Sequence, residues 1–242
     1  MQLNADLGES FGSWKMGDDE AIMPYIALAN IACGYHAGDP LVMQNAIRLA
    51  KEHNIQIGAH VSYPDLTGFG RRSMQISKAE LISMIHAQIA VLEGLALCQG
   101  LRVNHVKPHG AMYNDMMRDA LVFEHIVEAI NTYHTPYPLM IQATQSAAKY
   151  QATASKHNVE LILEAFADRA YTDDGSLESR SKPNAVLNNE QALSQAHNII
   201  YKGSVTTVTG KTLQLNASTL CVHSDNSHAI ALCKKIHSLL VV

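Results

Sequence analysis

The chain has 242 residues, of which 47% are hydrophobic and 17% charged, a composition typical of a folded globular protein and not of a disordered one. Its formal net charge is -4, and the 18 lysines and arginines form no basic run, so we expect neither a nucleic-acid partner nor an anionic membrane surface. No basic segment followed by an apolar one opens the chain, and no apolar run approaches a membrane span, so we expect a cytoplasmic protein. The 4 cysteines show no C-x-x-C spacing and are expected to be free thiols.

Short apolar or β-branched runs alternate with helical patterns along the chain. Each run is followed by a helix, which predicts a parallel sheet covered on both faces. Our first choice is a single-domain, TIM-like α/β fold over 1–242, a seven-stranded parallel (β/α) barrel, and an open doubly wound sheet is the alternative. The predicted strands are Gln2 to Leu7, Ala29 to Tyr35, Gln56 to His60, Val103 to Lys107, Leu139 to Ala143, Glu160 to Phe166 and Thr219 to His223.

The helices between these strands carry recognisable start signals. Asp39-Pro40 is typical of an N-cap followed by proline at the first helical position, and Ser77 to Glu80 is typical of a capping box. The remaining helical patterns cover 115–133, 144–157, 189–201 and 226–240.

The segment 203–218 interrupts the alternation of strands and helices. Its sequence "VTTVTGKTLQL" alternates around a Gly-Lys turn and predicts a small β-hairpin inserted before the last strand. The same segment resembles a phosphate-binding P-loop, but Gly203 and Gly210 are too far apart for that motif and no helix follows. Any nucleotide must therefore be bound elsewhere.

Ionisable and polar residues lie at even spacing where the predicted strands end. In a parallel barrel these carboxyl ends share one rim, which is where barrel enzymes build their active sites. Because buried charges need partners, we expect these residues to converge on one site. They are Asn4, Asp6, His36, His60, Lys107, His109, Glu164, Asp168, His223 and Asp225.

Basic loops are expected to complete the rim. Arg71 and Arg72 follow the third strand in "YPDLTGFGRRS", and adjacent guanidinium groups suit the capture of a carboxylate or phosphate, although a solvated basic pair is an equal alternative. Arg169 lies beside the acids of the sixth strand end. Asp39 is expected to serve as a helix cap.

Six segments of the chain together resemble the LamB/YcsF family in order along its length. They are "LNADLGESFG", "ANIACGYHAGDP", "GAHVSYPDLTGFGRR", "HVKPHGAMYN", "EAFADRAYTDDGSLESR" and "CVHSDN". The resemblance implies a barrel related to the glycoside hydrolase and deacetylase superfamily. It also implies the role of the A subunit in an ATP-dependent 5-oxoprolinase, which works with partner subunits B and C to open 5-oxoproline to L-glutamate. Val61, Asn184 and Ser224 depart from the family pattern, where Pro, Gly and Gly are usual.

The chemistry of opening a lactam suggests roles for the predicted site. Phosphorylation of the amide oxygen by ATP makes a better electrophile, after which water must be deprotonated, negative charge held and the ring nitrogen protonated. We assign Asp6 or Glu164 as general base, Lys107 as charge stabiliser and His109 as acid. Arg71 or Arg72 would hold the substrate carboxylate, and carboxylates would recruit Mg²⁺ with the nucleotide.

Two other classes of function remain open at this point. A metal-dependent deacetylase-like hydrolase would use Asp6, His36 and His60, or His109 and His223, as ligands. His36 is followed by Ala-Gly-Asp39 and not by a closely spaced second histidine, so we expect no tightly bound metal. The third class is a non-catalytic subunit that binds an anionic small molecule for a partner.

Overall fold

The computed structural model describes residues 1–222 and 229–240. Within these residues, the strands that form the barrel lie in the order β1-β2-β3-β4-β5-β6-β9, and β9 pairs in parallel with both β6 and β1. The strands are β1 Gln2–Leu7, β2 Leu28–Ala32, β3 Gln56–Val61, β4 Val103–Pro108, β5 Leu139–Gln142, β6 Leu161–Phe166, β7 Ser204–Thr206, β8 Thr212–Gln214 and β9 Thr219–Cys221. The predicted seven-stranded barrel is therefore confirmed, and the open sheet is excluded.

The helices pack on the outside of the barrel and alternate with its strands along the chain. They are α1 Asp19–Ile22, α2 Pro40–Glu52, α3 Lys78–Cys98, α4 Gly110–Arg118, α5 Ala120–Thr132, α6 Ala147–Lys156, α7 Asn189–Lys202 and α8 Ala229–Leu240, with a 3₁₀ turn at Met23–Tyr25. Asp39 caps α2 by accepting from the backbone of Leu41 and Val42, and Ser77 and Glu80 form the capping box of α3, as predicted.

Two differences from the predicted elements have a clear backbone cause. β2 ends at Ala32, because Gly34 adopts a φ of 90° and turns the chain before Tyr35. The predicted helix 115–133 is two helices, since the chain becomes extended at Asp119, which then caps α5. Residues 223–228, which include the end of the last predicted strand and the start of the last predicted helix, lie outside the described residues.

The inserted hairpin has the predicted form. β7 and β8 pair antiparallel, with Ser204 opposite Gln214, and Gly210 adopts a φ of 88° in the connecting turn. No helix follows this turn, so the Gly-Lys segment is a hairpin turn and not a phosphate-binding loop.

Helix α3 corrects one expectation from the sequence. It has 21 residues with a mean hydropathy of 1.7 over its most apolar window, so by length and composition it is sufficient to cross a membrane. One face of α3 packs in the outer layer of the barrel, where Leu81, Ile85 and Ile89 are buried. This face packs against β3, β4 and α5.

Alternate positions along the strands point into a barrel interior that is largely polar. Asn4 Nδ2 donates to Thr219 Oγ1 at 3.0 Å, and Asn30 Nδ2 donates to Asn4 Oδ1 at 2.9 Å. His105 Nε2 lies 2.7 Å from Asn30 Oδ1, and burial lowers the pKa of His105 to about 3, so its neutral ring donates this hydrogen bond. This layer forms the floor beneath the rim residues.

The close approach of Gly58 to the His105 ring allows a test of how this layer is packed. A Cβ atom at Gly58 would lie 2.1 Å from His105 Nε2, so Gly58→Ala must displace the ring and its bond to Asn30. We expect the free energy of unfolding in urea to fall by about 1–3 kcal/mol. Gly94→Ala in α3, where no atom lies within 4 Å of the added Cβ, should leave stability unchanged or raised. Equal effects of the two substitutions would contradict the packing described.

Candidate active site

A pocket of about 300 Å³ opens at the carboxyl ends of the barrel strands. It lies where the βα loops of parallel barrels place their active sites. Its ionisable and aromatic lining residues are Asp6, Glu9, His60, Phe69, Arg71, Lys107, His109, Tyr113, Arg118, Phe166, Arg169, Glu178 and Arg180.

The Lys107 ammonium lies at the centre of the pocket floor and is 2% exposed. Lys107 Nζ donates to Asp6 Oδ1 at 2.8 Å and lies 3.1 Å from Glu164 Oε2. It also donates to Cys221 Sγ at 3.4 Å. Burial alone lowers the pKa of Lys107, but the carboxylates outweigh burial and raise this pKa well above its ordinary value. Lys107 is therefore a permanent cation held by three strands.

The two acids beside Lys107 have different access to the pocket. Asp6 lines the pocket, and its Oδ1 also accepts from Asn30 Nδ2 at 2.8 Å. Its second oxygen, Oδ2, lies 3.4 Å from His60 Nε2. Glu164 is fully buried and lies behind Lys107, outside the lining of the pocket.

Three histidines and Glu9 form a buried cluster beside this ion pair. Glu9 Oε1 lies 3.2 Å from His36 Nε2, 3.3 Å from His109 Nδ1 and 3.9 Å from His60 Nε2. His60 Nε2 and His109 Nδ1 are 2.9 Å apart. The rings of His36 and His109 stack at 3.8 Å, whereas the ring of His60 is nearly perpendicular to both.

Backbone carbonyls fix the tautomers of two of these histidines. His60 Nδ1 lies 2.9 Å from the Lys107 carbonyl oxygen, and His109 Nε2 lies 2.9 Å from that of Phe69. Since a carbonyl only accepts, the ring nitrogen facing it carries the hydrogen. Burial lowers the pKa of both His36 and His109 well below the ordinary value, so these rings are neutral. In their neutral forms the two rings held by carbonyls, His60 and His109, present lone pairs to each other at Nε2 and Nδ1.

The loop after β3 is held against the start of α4 by two close backbone approaches. Gly70 has a φ of 63°, and a Cβ there would lie 2.4 Å from Ser62 Oγ and 2.8 Å from the His109 ring. A Cβ at Gly110 would lie 2.5 Å from the Gly70 carbonyl oxygen. Only glycine at these positions permits the Phe69 carbonyl to reach His109.

The adjacent arginines of this loop have different environments. Arg71 lines the pocket, with its guanidinium 5.0 Å from the centre of the Phe69 ring. Arg72 is an ion-pair partner of the buried Asp65 carboxylate, and its guanidinium also donates to Thr67. Because Arg72 braces its own loop and does not line the pocket, Arg71 is the better placed of the two predicted arginines to contact a substrate.

The remaining predicted residues fall into three groups. Arg169 lines the pocket and donates to the carbonyl oxygens of Glu178 and Ala185, and burial lowers its pKa to about 10. Asn4, His36 and Asp168 are buried near the rim, but they lie outside the lining of the pocket. The two positions that lie outside the described residues are His223 and Asp225.

Sequence reasoning missed four residues that the structure places at the site. Asn30 and Cys221 point into the barrel at even spacing on β2 and β9, so their strand positions provided a signal that was not used. Tyr113 lies on α4, and burial, with the neighbouring Glu164 carboxylate, raises its pKa well above 10. Glu9 follows β1 in a loop turned by Gly8, where alternation gives no guidance.

One departure from the family pattern also has a structural explanation. Asn184 adopts a φ of 62°, in the left-handed region where glycine is favoured and asparagine is the next best tolerated residue. Asn184 therefore replaces glycine with the same backbone conformation. Val61 is buried at the end of β3, and its carbonyl accepts from His109 N at 2.7 Å.

Together these features define a class: a parallel α/β barrel with acid, imidazole and ammonium groups gathered at the carboxyl ends of its strands, the arrangement of barrel enzymes. The model of the LamB/YcsF family matches residues 1–241, and this chain belongs to that family. The predicted resemblance is confirmed.

Individual relatives agree with this assignment. The A subunit of the Vibrio campbellii 5-oxoprolinase is 48% identical over 241 residues, covering 99% of this chain and 95% of its own. The second A subunit of the Pseudomonas putida 5-oxoprolinase is 49% identical over 239 residues, covering 98% of this chain and 93% of its own.

Solved structures support the same fold. The lactam utilization protein of Thermus thermophilus has a TM-score of 0.90 and 36% identity, covering 100% of this chain and 96% of its own. A putative cellobiose-phosphate cleavage protein of Enterococcus faecalis, at 12% identity and a TM-score of 0.60, shares the fold alone.

The buried ion pair predicts a large effect on stability. Lys107→Met leaves Asp6 and Glu164 without their shared cation, so we expect a loss of about 3–5 kcal/mol in the free energy of unfolding. Adding Glu164→Gln should recover part of this loss, because it removes one uncompensated charge.

The control is Lys78→Met, which removes a surface pair with Glu128 and should change urea unfolding much less. If Lys107→Met and Lys78→Met were equally stable, the carboxylates at the pocket floor would not depend on Lys107.

Proposed function

We propose that this chain is the A subunit of an ATP-dependent 5-oxoprolinase, which opens 5-oxo-L-proline to L-glutamate with hydrolysis of ATP. The observation that carries the proposal is whole-chain identity of 47–49% to proteins named as the A subunits of 5-oxoprolinases. The close structural neighbour named a lactam utilization protein supports it, since 5-oxoproline is a five-membered lactam. A complex with subunits B and C, in the cytoplasm, belongs to this proposal.

The charge of Lys107 suits the difficult step of this reaction. Attack of water on a lactam carbonyl places negative charge on the carbonyl oxygen, and in the phosphorylated form that oxygen already carries an anionic phosphoryl group. The Lys107 ammonium lies at the pocket floor and is already desolvated, so its interaction with developing charge is stronger than in water. We assign Lys107 as the group that stabilises this charge.

Of the two acids first considered as general base, Asp6 has the better position. Asp6 lines the pocket, and its Oδ2 is the oxygen that does not bond to Lys107. Glu164 is enclosed behind Lys107 and does not line the pocket. We therefore assign Asp6 as the base that takes a proton from water, and Glu164 as a positioning residue for Lys107.

His109 has a different capacity from the acid role first assigned to it. Its Nε2 hydrogen is directed to the Phe69 carbonyl, and its Nδ1 presents a lone pair to His60 Nε2. Burial keeps its pKa well below the ordinary value. His109 is thus suited to accept a proton or a cation at Nδ1 and not to donate a proton to the leaving nitrogen.

Positive charge at the pocket mouth fits anionic substrates. Arg71, Arg118, Arg169 and Arg180 line the pocket, and guanidinium groups bind carboxylates and phosphates in bidentate geometry. We propose that Arg71 holds the substrate carboxylate and that the other arginines face the nucleotide phosphates. Mg²⁺ prefers oxygen ligands, which fits poorly with the histidine-rich cluster, so we expect it to arrive with the nucleotide.

The test of this function is glutamate formation from 5-oxoproline and ATP. We expect turnover when this chain is combined with subunits B and C, and little or none from the chain alone. Turnover that is the same when this chain is omitted would contradict the proposal.

The role of Asp6 as general base predicts a loss of turnover when its carboxylate is removed. Asp6→Asn keeps the size of the side chain but removes the base, so glutamate formation by the complete mixture should fall at least about 100-fold. The control is Asp173→Asn, a carboxylate that pairs with Lys211 on the hairpin and does not line the pocket. Near-normal turnover by Asp6→Asn would remove Asp6 from the reaction.

The role of Arg71 predicts an effect on binding. Arg71→Met should raise KM for 5-oxoproline at least about tenfold with a smaller change in kcat, because a charge-assisted contact to substrate is lost. Arg48→Met, which removes a surface pair with Glu52, serves as control and should change neither constant. An unchanged KM in Arg71→Met would show that the substrate carboxylate binds elsewhere.

A further inference from the structure

Three atoms that can bind a metal ion face one another at the edge of the pocket floor. They are His60 Nε2, His109 Nδ1 and Glu9 Oε1, and the tautomers of both rings are set by backbone carbonyls on their far sides. Two nitrogen lone pairs only 2.9 Å apart repel each other unless a positive species lies between them.

The separations of these atoms match the size of a metal ion's coordination sphere. The three sides of their triangle are 2.9, 3.3 and 3.9 Å, so the circle through the atoms has a radius of about 2.0 Å. Bonds from Zn²⁺ to imidazole nitrogen and carboxylate oxygen have this length, about 2.0–2.2 Å. A proton on the line between the two nitrogens would leave Glu9 Oε1 facing His109 Nδ1, whereas an ion at the centre contacts all three.

We propose that Glu9, His60 and His109 bind a divalent transition metal ion of the zinc type. Two imidazoles and one carboxylate form a donor set found in open, catalytic metal sites, and this set favours Zn²⁺, Co²⁺ or Mn²⁺ over Mg²⁺. All three residues line the pocket, so an ion bound by them would lie at the wall of the cavity. The expectation from sequence that no metal is bound is reversed by this proposal.

His36 has an outer role in this site. Its ring is stacked on that of His109 with planes only 7° apart and centres 3.8 Å apart, so an ion in the plane of one ring lies outside the plane of the other. His36 Nε2 instead lies 3.2 Å from Glu9 Oε1, where its hydrogen can orient the carboxylate. The carbonyls of Lys107 and Phe69 orient the two metal-binding rings in the same way.

The metal site is inferred from the positions of its ligand atoms and does not depend on the proposed 5-oxoprolinase reaction. A divalent ion there would add a Lewis acid beside Asp6, whose Oδ2 lies 3.4 Å from His60 Nε2. Metal binding is measured on this chain without ATP, 5-oxoproline or partner subunits. Failure of the oxoprolinase assay and failure of metal binding are therefore separate outcomes.

The experiment titrates Zn²⁺ and Co²⁺ into the full chain after treatment with a chelator. We expect one tight equivalent per chain, visible absorption of bound Co²⁺ with the intensity of a four- or five-coordinate site, and a rise in melting temperature. Glu9→Gln and His60→Gln should weaken binding more than 100-fold, and His36→Gln about 10–100-fold, as for outer partners. Circular dichroism of each metal-free variant establishes that it is folded.

The matched control is His134→Gln, which removes another histidine that pairs with a glutamate, Glu93, on the surface at 3.3 Å. It should bind metal as the unmodified chain does. Absence of a tight equivalent in the unmodified chain, or equal affinity in Glu9→Gln and His134→Gln, would overturn the proposal. Both results are readable even if His60→Gln fails to fold.

Discussion

The burial of one ammonium group between two carboxylates constrains the rest of this barrel. Lys107 on β4 bonds to Asp6 on β1 and lies against Glu164 on β6, so three strands share one ionic contact in a region almost closed to water. Such charges are stable only when each has its partners in good geometry. The barrel therefore cannot shift its register at these strands without separating charges.

The layer of side chains beneath this ion pair is held together mainly by hydrogen bonds between neutral groups. Asn30 donates to both Asn4 and Asp6, while Asn4 donates to Thr219, so amide and hydroxyl groups link β1, β2 and β9. Most parallel barrels fill this space with branched apolar side chains. Hydrogen bonds in the interior fix the orientation of each side chain as well as its position, because each group has specific donors and acceptors. The orientation of Asp6 at the pocket floor is one result.

The sequence predicted the barrel and the convergence of Asp6, Lys107, His109 and Glu164, because strand alternation and a common rim are properties of the backbone. It did not separate Arg71 from Arg72, since their different environments depend on Asp65 in the same loop. The break at Asp119 was also missed, because both halves of 115–133 have helical periodicity. Pattern determines which face a strand residue occupies, whereas loop residues take their direction from tertiary contacts.

Glu9 is another loop residue whose position strand alternation does not predict, although it belongs to the buried histidine cluster. Alternation ends with β1, and the position of Glu9 depends on the turn at Gly8. The tautomers of His60 and His109 depend in turn on carbonyls that lie 47 and 40 residues away in the chain. A histidine in a sequence is a donor, an acceptor or a ligand only after such contacts are known.

The loop after β3 contacts both the arginine at the pocket and the buried histidines. Phe69 supplies the carbonyl that fixes His109, its ring lies under Arg71, and Gly70 between them permits both contacts. This short segment of backbone therefore contacts both Arg71, which lines the pocket, and His109, which belongs to the cluster of Glu9, His36, His60 and His109. The orientation of the His109 ring and the position of Arg71 depend on the same two residues, Phe69 and Gly70.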